Sequence, residues 1–291
     1  MTDELFPFAL VQPRTYLRAW GKIFSSSFDE GAPPETQNLD DALDYLVEAA
    51  SQGARYVVFP ELYPGPMSPD SPLSLDDVTE RLADQARESH VWVLYGGAEI
   101  VPEGMYNTYD AVSPSGHLAA RYRKMIPACG EPWLPGQEPQ VVDADGLRLG
   151  LCLCWEAWFP EIARTLTFLG ADVILFPTGG LVHELGDRWR QVLAARAAEN
   201  MVYTMASTNL LACEDGMAVI NSPEGLVADA RKQGIVYASV DIARLRYLRE
   251  TDEELMVPKK YLSIPGLLRA LPPQVAEHLQ RAVTGFFEEN R

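Results

Sequence analysis

The chain reads as an α/β protein layered around a mixed sheet. Three observations lead there. Apolar runs of strand length alternate with stretches of helical period along nearly the whole sequence. Hairpin-type turn signals are mixed among them, so some neighbouring strands run antiparallel. The 291 residues would allow two domains, but no internal repeat, low-complexity tract or linker splits the alternation.

The elements follow in order. Phe8-Ala9-Leu10-Val11-Gln12 is a short strand closed by Pro13, and the polar stretch Ser25–Gln37 reads as a loop. Asn38 is placed as the N-cap of a helix to about Gln52. Its apolar residues Leu39, Ala42, Leu43, Leu46, Val47 and Ala50 recur at i, i+3, i+4, i+7, i+8 and i+11. Gly53 ends that helix, and Tyr56-Val57-Val58-Phe59 is a continuous apolar strand stopped by Pro60. Ser74 with Asp77 caps a second helix through Ser89. Val91–Tyr95 is a strand, followed by Gly96-Gly97. The Pro114-Ser115-Gly116 turn joins Thr108–Val112 to His117–Tyr122 as a hairpin. Leu147–Cys154 is a strand, Pro160–Leu169 a short helix with proline in its first turn, Val173–Phe176 a buried strand and Asp187–Asn200 a helix. Val202–Ser207, Met217–Asn221 and Ile235–Val240 are strands, with a Pro223-Glu224-Gly225 turn between the last two. Pro273–Glu289 forms a C-terminal helix.

Composition narrows the function classes. Hydrophobic residues make up 47% and charged residues 22%, the balance of an ordinary folded chain. A chain this long buries enough apolar surface to fold without disulfides or metals. Its four cysteines (Cys129, Cys152, Cys154, Cys213) are therefore not a disulfide framework. Net charge is 24 − 41 = −17, which repels nucleic-acid phosphates and anionic membrane. No apolar run approaches the roughly 18 residues of a membrane-spanning helix. The acidic start Met1-Thr2-Asp3-Glu4 is unlike a signal peptide, so the expected compartment is the cytoplasm.

Three segments end an apolar run in a polar or reactive residue, where α/β folds expose their sites. Phe59-Pro60-Glu61 leaves a carboxylate at a strand exit. Taken alone, Glu61 fits a solvated side chain as well as an acid–base group. Arg121-Tyr122-Arg123-Lys124 leads into Cys129-Gly130-Glu131, and a basic cluster in an acidic chain can equally form surface ion pairs. In Leu151-Cys152-Leu153-Cys154-Trp155-Glu156, period two puts both cysteines on one face and both leucines on the other. A buried cysteine is usually a small hydrophobe, the reading given to Cys152, Cys129 and Cys213. Cys154 stands apart because it precedes the helix start Phe159-Pro160-Glu161.

Together these segments resemble the nitrilase, or carbon–nitrogen hydrolase, superfamily. The pattern is a Glu after a Phe-Pro strand end, a Lys after a strand, a second Glu in the next loop and a Cys closing an apolar strand. Here these are Phe59-Pro60-Glu61, Tyr122-Arg123-Lys124, Gly130-Glu131 and Cys154-Trp155-Glu156. Ala9-Leu10-Val11-Gln12-Pro13, Tyr106-Asn107-Thr108, Gly170-Ala171-Asp172 and Ala195-Arg196-Ala197…Glu199-Asn200 extend the likeness, in order, over nearly the whole chain. The resemblance implies a single four-layer α-β-β-α sandwich over 1–291 and no metal or organic cofactor. It implies Cys154 as nucleophile, Glu61 as general base, Lys124 as oxyanion stabiliser and Glu131 as a supporting carboxylate. It also implies homodimers or larger assemblies, with the Phe159–Leu169 helix and the tail 257–291 as the first contacts to consider.

The resemblance implies hydrolysis of a non-peptide C–N bond in a small amide or N-carbamoyl compound, and the residue types supply the nucleophile, proton shuttle and oxyanion stabilisation that amide hydrolysis needs. Moving a proton from a free thiol to a free glutamate is uphill by about 4.2 pKa units, roughly 5.7 kcal/mol. Burial of the glutamate and the Lys124 charge are expected to narrow that gap. The Trp155 amide is a candidate second oxyanion donor. Tyr63, Trp133, Trp155 and Trp158 either form aromatic walls of the pocket or belong to the core, and His183 either lines the pocket or is a solvated loop histidine. Arg188 or Arg190 either holds a substrate carboxylate or pairs on the surface. Glu138 competes with Glu131, which is preferred because it follows Gly130.

Rival readings fit less well. The four histidines are scattered without metal-ligand spacing, and no G-x-S-x-G elbow is present. Two alternatives remain: nitrile hydrolysis, which the Cys-Trp-Glu tripeptide suggests, and a catalytically idle homologue serving as a binding or assembly subunit.

Overall fold

A computed structural model describes residues 5–16, 36–67, 69, 71–180, 185–210, 215–251 and 277. Two six-stranded sheets face each other. The first has the order β12-β1-β2-β3-β4-β5: β1 (Leu5–Gln12), β2 (Tyr56–Val58), β3 (Trp92–Val101), β4 (Gly104–Val112), β5 (Leu118–Arg123) and β12 (Gly234–Asp241). The second has the order β11-β10-β9-β8-β7-β6: β6 (Gln140–Ala144), β7 (Leu147–Leu151), β8 (Val173–Leu175), β9 (Tyr203–Ala206), β10 (Ala218–Ser222) and β11 (Gly225–Ala230). Both sheets are mixed. β1, β2 and β3 run parallel, as do β7, β8 and β9, while the flanking pairs are antiparallel.

The period of two decides which side chains face which layer. In β1, Phe8 and Leu10 point between the sheets, while Ala9 and Val11 face α1 (Gln37–Ser51) and α2 (Leu75–Ser89). In the second sheet Leu147, Leu149 and Leu151 point inward. Cys152 and Ile174 instead meet α3 (Pro160–Phe168) and α4 (Gly186–Asn200). Three apolar clusters thus separate four layers, α-β-β-α, as the family resemblance implies. No helix among the described residues is long and apolar enough to cross a membrane.

Several elements differ from expectation, each for a local reason. Asn38 does not cap α1. Thr36 precedes the helix, and the buried Asn38 amide clamps the Tyr16 backbone through both its oxygen and its nitrogen, each at 2.9 Å. Gly96 and Gly97 do not end a strand; β3 runs through them. A Cβ at Gly96 would strike the Leu62 amide, and one at Gly97 would lie 2.7 Å from the Gly65 carbonyl oxygen. The glycines let the turn after β2 lie directly on the strand. The Pro223-Glu224-Gly225 turn leads into β11, an edge strand whose largely exposed residues carry no alternation signal. β6 and the polar helix α5 (Ile242–Thr251), which buries Ile242 and Leu245, were also absent from the sequence reading. β7 ends at Leu151, before Cys154. By contrast, the Ser74–Asp77 capping box at α2 forms as expected, with Asp77 N 3.1 Å from Ser74 Oγ and Ser74 N 2.8 Å from Asp77 Oδ2. Apart from Glu277, which is helical, the expected helix 273–289 and the tail 257–291 lie largely outside the described residues.

Candidate active site

The strand exits of both sheets converge at one end of the sandwich. β2 stops at Val58 and Pro60 breaks the ladder, so Glu61 enters a turn against β3 and is buried. β5 stops at Arg123, and the next backbone amide, Lys124 N, is held by Asn107 O of β4 at 2.9 Å. Lys124 is fully buried. Its ammonium donates to Glu61 Oε1 at 2.8 Å and to Glu131 Oε2 at 3.0 Å. Glu131 is fixed in turn by the Ala128 amide, 2.7 Å from Oε2.

After β7 the chain forms a 3₁₀ turn, Cys154–Trp158. Cys154 opens it at φ 44°, a left-handed conformation that costs a non-glycine residue on the order of 1–3 kcal/mol and is found preferentially at functional sites. The Cys154 amide is anchored to Pro177 O at 2.9 Å. Leu151 and Leu153 do face the inter-sheet core while Cys152 faces the outer helices, as period two predicts.

The second sheet also grips Glu61. Gly179, past the exit of β8, donates its amide to Glu61 Oε2 at 2.6 Å. A Cβ at Gly179 would sit 2.7 Å from that oxygen, so the approach requires glycine. Asn107 donates to Glu61 Oε1 at 2.7 Å, and Asn209 donates to Glu61 O at 2.7 Å and Gly179 O at 3.0 Å.

The charges set the resting state. Burial alone would lower the Lys124 pKa. The surrounding Glu61, Cys154 and Glu131 charges outweigh it, so the ammonium stays protonated with a pKa above its ordinary value. Burial and then the Glu61 charge push the Cys154 thiol well above its ordinary value, against the opposing influence of Lys124 and the Gly179 amide. Lys124 thus favours the thiolate as expected, yet the net shift is upward because desolvation is the larger effect. Cys154 therefore rests as a neutral thiol.

The other sequence candidates divide. Tyr63 takes the core alternative: it is fully buried against Phe59 in the outer apolar layer, and Asp41, Tyr45 and Tyr16 are the groups acting on its hydroxyl. Trp133 is buried with Leu62, Met67 and Ala98 and so packs behind the Glu61 turn. Trp155 is exposed beside Trp158, which packs edge-on against Trp189. Arg190 pairs with Asp229 at 2.9 Å, the surface role, and Arg188 is exposed. Glu138 lies apart, in a groove of about 410 Å³ with Tyr106, Arg121 and Arg123. Cys129 is exposed. His183 and Cys213 lie outside the described residues. No group of three or more His, Cys, Asp or Glu among the described residues is placed to hold a metal ion. Sequence reasoning gave no role to Asn107 or Glu156, although both stand inside quoted motifs. The loop beginning at Gly179 is expected from the sequence to shape the pocket, but its contact to Glu61, like that of Asn209, for which the sequence carries no signal, is made only by the docking of the sheets.

Residues 9–250 match the carbon–nitrogen hydrolase family. The chain belongs to that family. It is 31% identical over 248 residues to a deaminated glutathione amidase from Synechocystis sp., covering 75% of this chain and 91% of the relative. It is 29% identical over 235 residues to a nitrilase from Pyrococcus abyssi, covering 74% and 88%. Among solved structures, a variant of the amidase from Nesterenkonia sp. AN1 superposes with a TM-score of 0.67 at 22% identity, covering 85% of this chain and 94% of that one. That variant carries the acetamide moiety of fluoroacetamide covalently on its active-site cysteine. At this identity the superposition speaks for the fold, a nitrilase-type α-β-β-α sandwich.

Proposed function

We propose that this carbon–nitrogen hydrolase cleaves the C–N bond of a small amide or N-carbamoyl compound through a thioester on Cys154. The observation that carries the reading is the Lys124 ammonium held between Glu61 and Glu131, with the Cys154 turn close enough for all three charges to act on its thiol. The relative named as an amidase supports the choice of substrate class.

The chemistry follows from the protonation states. Cys154 Sγ attacks the amide carbon as Glu61 takes the thiol proton, because the raised thiol pKa disfavours a free resting thiolate. Lys124, with the Trp155 amide in the turn after the nucleophile, stabilises the oxyanion. Glu61 then gives its proton to the departing ammonia or amine, leaving the thioester. Glu61 next takes a proton from a water that attacks the thioester carbonyl. The acid leaves and the thiol is restored. Glu131 and the Ala128 amide hold Lys124 in place throughout.

The test is ammonia or amine release from a panel of amides, N-carbamoyl compounds and nitriles, read together with intact-protein mass. An acyl adduct mapped to Cys154, with amides turned over fastest, is expected. Wild-type turnover by Cys154→Ala would overturn the assignment. Nitrile hydrolysis is the second reading, favoured by the relative named as a nitrilase. Rapid nitrile consumption with inert amides would establish that order instead. Silence across the whole panel would favour a non-catalytic assembly role. The chain is also expected to form a homodimer or larger assembly, and a monomer in sedimentation at micromolar concentration would contradict this.

A further inference from the structure

The mechanism leaves one buried carboxylate unused. Glu156, in the turn after Cys154, is fully buried and makes no ion pair of salt-bridge length among the described residues. Its Oε1 accepts from the Tyr122 hydroxyl at 2.7 Å, Met125 N at 2.7 Å and Ile126 N at 3.0 Å. Its Oε2 accepts from Leu153 N at 2.7 Å and the Cys152 thiol at 3.5 Å. Met125 and Ile126 directly follow Lys124, and Leu153 directly precedes Cys154. One side chain therefore joins the two backbone segments that carry the cation and the nucleophile, which belong to different sheets.

We propose that Glu156 is a positioning residue that sets the placement of Cys154 relative to Lys124. The inference rests on the proposed roles of those two residues. An ionised carboxylate is the group that fits, because both of its oxygens meet donors. A glutamine would turn its own N–H groups toward the Leu153 amide or toward the Met125 and Ile126 amides, leaving buried donors unpaired. The charged and titratable groups around this junction are Tyr122, Lys124 and Cys152 about Glu156, whose carboxyl pKa burial pushes up while Tyr122, Lys124 and the backbone amides favour its charge, and Glu61, Glu131 and Lys124 about Cys154. Lys124 is the side chain that lowers the thiol pKa, so loosening its segment weakens that influence.

The experiment compares wild type, Glu156→Gln and Leu82→Ala, a core change in the α1/α2 layer that controls for lost stability. Steady-state kinetics and the pH profile of Cys154 alkylation by iodoacetamide, followed on the Cys154 peptide, are measured for each. Glu156→Gln is expected to lower kcat about a hundredfold, with KM within about threefold of wild type. Its alkylation midpoint is expected to move to higher pH, and Leu82→Ala to leave that midpoint in place. A Glu156→Gln enzyme with kcat within about threefold of wild type would overturn the proposal, as would an unmoved midpoint or the same shift in Leu82→Ala. If Glu156→Gln does not fold, Tyr122→Phe removes one donor from Oε1 and should lower kcat by about three- to tenfold, whereas unchanged kcat and midpoint would count against the proposal. Cys154→Ala runs alongside. Its turnover would sink the site assignment itself, whereas a dead Cys154→Ala beside a fully active Glu156→Gln sinks only the present inference.

Discussion

The turn after β2 and the turn after β7 each bury a glutamate, and they treat it differently. Glu61 meets one cation and the amides of Asn107 and Gly179. Glu156 meets a hydroxyl, a thiol and backbone amides, with no cation in ion-pairing contact among the described residues. A buried carboxylate needs either a counter-charge or a nearly full set of donors. A counter-charge leaves room for a proton to come and go. A full set of donors uses up the lone pairs and makes the group a structural joint. Placement beside Cys154 therefore does not by itself mark a carboxylate as a proton carrier; its donors are the better guide.

The contrast can be broken most sharply at Glu61. Glu61→Gln should lower kcat by about 10²–10⁴-fold, the usual range for loss of a general base. The same substitution removes a charge that raises the Cys154 pKa, so the alkylation midpoint should fall, opposite in sign to the Glu156→Gln shift. Loss of turnover with an unchanged or higher midpoint would mean that Glu61 does not act on the thiol as argued. Gly179→Ala is next. Its Cβ would displace Glu61 Oε2, and a shift of the order of 1 Å can lower kcat about a hundredfold. Normal kinetics in that variant would remove the Gly179 contact from the site. Glu131→Ala should reduce kcat at least tenfold by freeing the Lys124 ammonium, roughly the factor that follows from losing one charge-assisted hydrogen bond, while Glu138→Ala should leave kcat near wild type. The reverse result would exchange their roles. The smallest effect is expected far from the site. Ser74→Ala removes the α2 cap and should cost about 1 kcal/mol in denaturant unfolding with kcat unchanged.

Much of this was legible in the sequence because burial writes a period. The strands at Phe8–Gln12 and Tyr56–Phe59 alternate or run apolar because both of their faces are covered, and α2 announces itself through Ser74 and Asp77. Glu61, Lys124 and Cys154 could be read because each follows a strand that such patterns mark. β11 and α5 escaped because they are largely exposed, so few of their positions are constrained to be apolar. Tyr63 stayed open between wall and core because an aromatic in a site loop can face either way, and its packing against Phe59 is a tertiary contact. Asn209 had no local signal at all, and the loop that begins at Gly179 could be placed near the pocket without revealing its bond to Glu61. Glu156 had a signal, its place two residues after Cys154, but only its hydrogen-bond partners reveal what it joins.

The Asn209 and Gly179 contacts to Glu61 span 148 and 118 residues of chain. Neither half of the sequence holds a complete site, and no single hairpin or βαβ unit can assemble one on its own. Contacts this distant carry a loop-closure cost that must be met before they reward it, which slows their formation. Recovery of turnover during refolding is therefore a clock for the docking of the two sheets. It should lag behind the gain of helical and sheet signal, and a chain whose sheets have formed but not yet met should be compact, structured and inert.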